Sequence, residues 1–302
     1  MPGGATVRSY GSHVMRHRVV SRSGSRAARA VAVCAVLSAL VAVLLPVLGD
    51  HDYLRDLLGT PEVSLALSFS VVGFILVGRP HAYPMGWLVI VIGAIAAVYA
   101  CGTSYAAFVL GGDTGATLPA GSSLAMAGAW VSNWAWFPAS VLVATVYPQV
   151  LPYGRPLSPL WRIPLVVAAA CLVVGVLDRA TEPGPLGPFR GVDNPLAWPA
   201  LHAAGVPVWR GVQVVVVALI IVAGLSLVVR FVRSEGVDRW QVGWFGYAVG
   251  IAVLLAFAAS PALTHPAVML VPAGLVVAAP RPPARRRSTP AARHEPKRRA
   301  ER

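Results

Sequence analysis

The sequence predicts an all-α fold, a polytopic transmembrane helix bundle of about eight spans with both termini cytoplasmic. Three observations predict it. First, a span needs roughly 20 mainly apolar residues to cross ~30 Å of hydrocarbon, and the runs Ala30–Leu48, Val63–Gly78, Trp87–Leu110, Ser122–Tyr147, Ile163–Leu177, Val208–Val229, Val242–Ala259 and Pro261–Ala279 approach or meet that length. Second, only 12% of the 302 residues are charged and 56% are hydrophobic, against about 25% charged in soluble domains. Third, the net charge of +13 is concentrated at the two ends and in alternate loops. A nucleic-acid partner would need those charges on a folded surface with groove-reading or aromatic neighbours, and neither terminal stretch has that pattern, so no nucleic acid is expected.

Residues 1–29, rich in Gly, Ser and Arg with no apolar period, read as a disordered basic tail. The first span is a full bilayer long, with no clear small-x-small site before Asp50, which favours an uncleaved anchor over a signal peptide. A short acidic loop, Gly49–Pro61, leads to the second span. Arg79–Gly86, with two prolines, then makes a tight hairpin into the third. Gly111–Gly121 is a Gly/Thr turn. The fourth span is the most aromatic, and Pro138 is expected to kink it. Pro148–Trp161 holds four prolines and cannot continue a helix. Asp178–Pro207 reads as the longest outer loop, with Trp198 at headgroup level. The last span carries Pro261, Pro266 and Pro272, and residues 280–302 form a second disordered basic tail. One membrane domain, 30–279, lies between the tails.

Basic residues beside spans stay cytoplasmic. With the N-terminus inside, all of the 25 basic residues except Arg55, Arg179, Arg190 and Arg210 fall on the cytoplasmic side. Two clusters, Arg285–Arg287 and Lys297–Arg299, make the C-terminal tail a polybasic stretch for anionic lipid. The bilayer and anionic lipids at both tails are the expected partners, and the cell membrane the expected location.

Residues for chemistry are sparse. Span interiors hold Ser68, Ser70, Ser104, Asn133, Thr145, Gln213 and Ser226 but no ionisable group near a bilayer centre. Such hydroxyls and amides ordinarily bond a neighbouring helix or their own backbone. Trp130 and Trp134, four apart and so on one face, stand with Asn133 either as packing or as a wall for an apolar or cationic ligand. His51 between Asp50 and Asp52, His202 and His265 lie on separate outer segments without ligand spacing. They read as solvated histidines, with zinc binding or pH sensing as the sharper alternatives. Cys34, Cys101 and Cys171 sit inside spans as small apolar residues. No metalloprotease, nucleophile-elbow, P-loop or dinucleotide motif is present, and no cofactor or metal is expected.

Three cytoplasmic segments carry a resemblance. Arg79-Pro80-His81-Ala82-Tyr83-Pro84-Met85-Gly86-Trp87 resembles the R-R-P-x-N-P-[IV]-G-W turn in the N-terminal membrane domain of actinobacterial sensor histidine kinases, with Tyr83 in place of the usual Asn. Tyr147-Pro148, Gly154-Arg155 and Ser158-Pro159-Leu160-Trp161-Arg162 are similar to the family's F-P-D-G-R-x-P-S-x-R-W segment, stretched by an insertion and lacking its acid. The run from Arg230 to Trp244, with Arg233, Arg239 and Gln241, resembles the R-[YF]-x-R-[SA]-x-G-x-x-R-x-Q-x-x-W link. Physically, the prolines and Gly86 make a sharp return, Trp87 anchors an interface, and Arg230, Arg233 and Arg239 form a basic clamp beside anionic headgroups.

The resemblance covers roughly Ala30–Ala279. It implies a sensory or signalling membrane domain, stand-alone or truncated, working as a homodimer or with a separate kinase subunit. Residues 280–302 are too short for a phosphoacceptor helix pair or an ATP-binding domain, and His294 has no helical apolar period around it. No catalytic output is therefore expected. The alternative from another class is a small-molecule permease or exporter. It wants discontinuous helices around a midplane site, for which Pro138 is the clearest sign. A lipid-modifying enzyme is a third reading, with only Asp50-His51-Asp52 to support it.

Overall fold

The computed structural model describes residues 22–49, 61–110, 122–187, 189–236, 239–240 and 242–247. Most of the expected seventh span and all of the eighth lie outside these, as do residues 1–21, the C-terminal tail, the loops Gly49–Pro61 and Gly111–Gly121 (save their end residues Gly49 and Pro61), and Gln241. Residues 22–29, expected to belong to a disordered tail, instead form the start of the first helix, with Ala28 fully buried against its neighbours. Six helices carry the described chain: α1 Arg22–Gly49, α2 Pro61–Val77, α3 Tyr83–Leu110, α4 from Ser122, α5 Arg162–Thr181 and α6 Pro199–Arg233. Four helical stretches are long and apolar enough to cross a membrane: Gly24–Leu45, Tyr83–Leu110, Pro159–Thr181 and Pro199–Arg233. A shorter apolar helix, Glu62–Val77, accompanies them.

On α1 the burial pattern is inverted relative to a water-soluble bundle. On α1 the buried positions are Ala28, Ala32, Ala35, Ala39 and Ala42, alternating four and three apart, which places them on one face. Val33, Leu37, Leu40, Val41 and Leu44 point outward, Leu37 with 56% exposure. On α6 Val214, Ile221, Leu225 and Val228 are likewise exposed, while Val212, Leu219 and Ala223 are buried. A soluble protein hides its large aliphatics and rarely shows apolar patches of this extent. Small residues inside and large ones outside are what helices in lipid use, since close backbone packing holds them together.

The α2–α3 hairpin shows how close that packing is. A Cβ on Gly86 would lie 2.8 Å from the Val77 backbone nitrogen, and one on Gly93 would lie 2.8 Å from that of Ser70. The expected tight return is a 3₁₀ turn, Pro80–Ala82, preceded by Arg79 in an extended conformation. Helices α3 and α4 meet likewise at Gly102 and Gly128.

Helix α4 runs through Pro138 to Val141, widens into a π turn at Leu142–Val146, and finishes as α-helix at Tyr147–Val150. The Tyr147 N–H donates to the Leu142 carbonyl, five residues back. Pro148 explains the widening. Its ring collides with the carbonyl four residues back in a regular helix, and a π turn just before it moves that carbonyl away. The principal core cluster lies around this end, with Phe69, Met85, Val89, Tyr147, Leu151 and Phe245.

One expected element is different. Asp178–Pro207 is not a long loop: α5 extends to Thr181, α6 begins at Pro199, and between them Pro185–Leu186 and Phe189–Asp193 pair as an antiparallel β-hairpin. This hairpin is the only strand pair among the described residues and the sole departure there from an all-helical chain. Pro199 takes the first helical turn, where its fixed φ suits a helix start and its missing N–H costs nothing.

Candidate functional site

The three segments quoted above, far apart in sequence, meet at one end of the bundle. Residues 151–158 leave α4 through a turn in which Gly154 has φ +72°. That left-handed conformation favours glycine, and the contact demands it as well: a Cβ there would lie 2.8 Å from Pro84 Cβ and 2.9 Å from the Met85 nitrogen. The second segment thus rests directly on the first.

Arg230 joins the third segment to the second. It is buried at the end of α6, and its Nη2 donates to the carbonyl oxygens of Gln149 (2.5 Å) and Arg155 (2.8 Å). Gln149 lies in the last turn of α4, whose carbonyls lack helical partners and carry the negative end of the helix dipole. The guanidinium supplies both missing donors and opposite charge. Tyr147 completes the junction between Phe69 of α2 and Phe245, with ring centroids 5.5 and 5.1 Å away. Inside this knot Tyr147 Oη, Gln149 Oε1, Ser226 Oγ and Arg230 Nε are buried with no hydrogen-bond partner among the described residues. On its flank Phe231, Arg239, Trp240, Gly243, Trp244 and Tyr247 line a cavity of about 530 Å³, with the Arg239 guanidinium 4.7 Å from the Phe231 ring centre.

The remaining predicted residues divide as follows. Gly86 is buried under Val77, and Trp87 packs on the cluster of Ala28, Ala32, Val77 and Ile90. Arg79 and Trp161 are half-buried, while Pro84, Arg162, Arg233, Arg239 and Trp244 are exposed. The expected clamp of Arg230, Arg233 and Arg239 at headgroups is therefore split: Arg230 turns inward because two orphaned carbonyls lie within its reach. Gln149 and Phe245 had no mark in the sequence. Gly154 and Tyr147 were marked only as members of a motif.

The expected aromatic wall lies at the other end, and two of its three polar groups have a different task. Trp130 Nε1–H donates to the Ala180 carbonyl (2.9 Å), and the Asn133 amide donates to that of Arg179 (2.7 Å). Asn194 of the hairpin donates to Ala180 and Glu182 carbonyls at 3.0 and 2.8 Å, and Trp198 N–H donates to Thr181. Together they cap the C-terminus of α5, which explains why the helix outlasts its apolar run. Trp134 meets Trp130 edge-on with centroids 5.6 Å apart, and its own N–H has no partner among the described residues. Of the span hydroxyls, Ser68, Thr103 and Thr145 donate to their own helices, at the Ser64, Tyr99 and Val141 carbonyls, whereas Ser70, Ser104 and Ser226 are buried with no partner among the described residues. Among the described residues no group of three His, Cys, Asp or Glu side chains is placed to hold a metal.

Comparison with protein-family models, with curated proteins and with solved structures found no match to this chain.

Proposed function

We propose that the chain is a multi-pass protein of the cell membrane, a bundle of about eight spans with both termini cytoplasmic. Its role is that of a sensory or signalling membrane domain, acting through a partner rather than by chemistry of its own. The observation that carries this reading is the junction: the three kinase-like segments converge on Gly154, Arg230 and Tyr147 instead of lying as separate loops. Segments that only fixed topology would need no mutual contact. A junction joining the ends of α2, α3, α4 and α6 gives a change in helix position one place to emerge. The partner it fits is a cytoplasmic kinase subunit or a second copy of the chain, and the basic tails and exposed Arg233 and Arg239 suit anionic lipid at the same face.

The test is a fusion of the full chain to the phosphoacceptor and ATP-binding domains of a sensor histidine kinase, assayed for autophosphorylation in vesicles. The fused kinase should run at a rate different from the free catalytic part. Gly154→Ala, which forces the junction apart, should change that rate several-fold while the protein stays folded. Equal rates with and without the substitution, both matching the free kinase part, would contradict the reading.

A further inference from the structure

Helices α1 and α2 both pack on α3 and leave a groove of about 270 Å³ between them. Buried Ala32 and Ser70 make its floor, and the exposed side chains of Val33 and Leu37 on α1 and Val71 and Phe74 on α2 make its rims. The Ser70 hydroxyl backs onto α3, where a Cβ on Gly93 would stand 2.5 Å from Oγ. The lining is therefore hydrocarbon. In water it would be an exposed apolar patch, whereas in a bilayer it meets acyl chains.

One end of the groove is cationic. Arg29 stands one turn before Val33, and its guanidinium carbon lies 5.4 Å from the centre of the Phe74 ring. Its Nη2 reaches the end of α2, 2.9 Å from where a Cβ on Gly78 would be. Arg26, three residues earlier, is exposed on the same side of α1. Nothing acidic offsets them: α1 and α3 contain no carboxylate, and that of α2, Glu62, is in its first turn at the opposite end. A guanidinium resting over an aromatic ring keeps N–H donors for a phosphate. From Arg29 to Leu37 the helix rises about 12 Å, close to the ~15 Å of hydrocarbon in one leaflet. The spacing sets the cation at headgroup depth and the groove along the chain below it.

We propose that the α1–α2 groove holds one anionic phospholipid, its phosphate on Arg29 and one acyl chain lying between Val33, Leu37, Val71 and Phe74. Charge selects this occupant over a second copy of the chain. A second copy inserted in the same orientation would bring its own Arg26 and Arg29 to the same depth, setting like charges against each other. The site is built on α1 and α2, apart from the α6 end that carries Arg233. It requires that these helices lie in a bilayer and does not depend on the signalling role.

The experiment is native mass spectrometry of the full chain, taken from nanodiscs of equal phosphatidylglycerol and phosphatidylcholine with matched acyl chains. Extraction at about 0.5 M salt screens contacts between exposed charges and lipid. The wild type should retain one phosphatidylglycerol, favoured over phosphatidylcholine by about fivefold. Arg29→Gln should abolish that preference. Val71→Trp fills the groove, leaves every charge in place and should abolish the retention itself, while Arg233→Gln should change neither. Arg29 is exposed, so its variant decides the matter if Val71→Trp fails to fold. Equal retention of both lipids by the wild type would overturn the site, as would the full preference persisting in Arg29→Gln or in a folded Val71→Trp. A wild-type dimer that Val71→Trp converts to monomer would also overturn it, since a second copy would then occupy the groove.

Discussion

A guanidinium buried between two carbonyl oxygens tolerates little change. Arg230 satisfies the Gln149 and Arg155 carbonyls at once, and hydrogen bonds to charged groups are each worth about 1.5–3 kcal/mol. Arg230→Met keeps the aliphatic stem but leaves both acceptors in an apolar setting. It should lower stability by about 3 kcal/mol, read as a drop in unfolding midpoint in detergent, whereas Arg233→Met on the exposed face should change it by less than about 0.5 kcal/mol. The contrast is the informative part, because both arginines sit in the last turn of α6. Equal effects would mean that the inward arm of Arg230 carries no weight. Sequence could not separate them. A long cationic side chain at a helix end either snorkels to the headgroups or folds back onto carbonyls, and the choice depends on what another segment places nearby.

At the scale of elements, the small-inside, large-outside pattern of α1 makes a sharp comparison. Ala39 is fully buried and Leu37 is more than half exposed. Ala39→Leu forces a larger side chain between closely packed helices and should destabilise by about 1–3 kcal/mol. Leu37→Ala should cost little in lipid, where leucine gains nothing by being covered. If Leu37→Ala proved the more damaging, α1 would pack by the opposite face. Helices α1 to α3 were legible from apolar run length and from the two prolines of their turn, because both signals are local. The hairpin was not: Pro-Leu-Gly-Pro-Phe-Arg-Gly-Val-Asp has no two-residue alternation, and its pairing leans on a buried Leu186 and Phe189 packed under Trp130. The extra turn of α5 was hidden for a similar reason, since its caps come from α4 and from Asn194. The π turn had a visible cause in Pro148, but a proline at a helix end reads first as a stop. Of the junction, the sequence displayed the three parts and not their contact, which depends on Gly154 at positive φ against Pro84.

Across the whole molecule, junction and hairpin lie at opposite ends of the bundle, and the proposed topology puts the bilayer between them. Helix α5 leads from one end to the other over 20 residues and α6 returns over 35, lengths of about 30 and 50 Å at 1.5 Å per residue. Labelling of single cysteines by a membrane-impermeant maleimide tests this most directly, on a background with Cys34, Cys101 and Cys171 replaced. Exposed positions Pro80, Arg155 and Gly236 report the junction end, and Leu196 reports the hairpin end. In intact cells Leu196→Cys should label, while Pro80→Cys, Arg155→Cys and Gly236→Cys should label only after permeabilisation. Labelling of Leu196→Cys together with any of the three junction positions in intact cells would contradict the account.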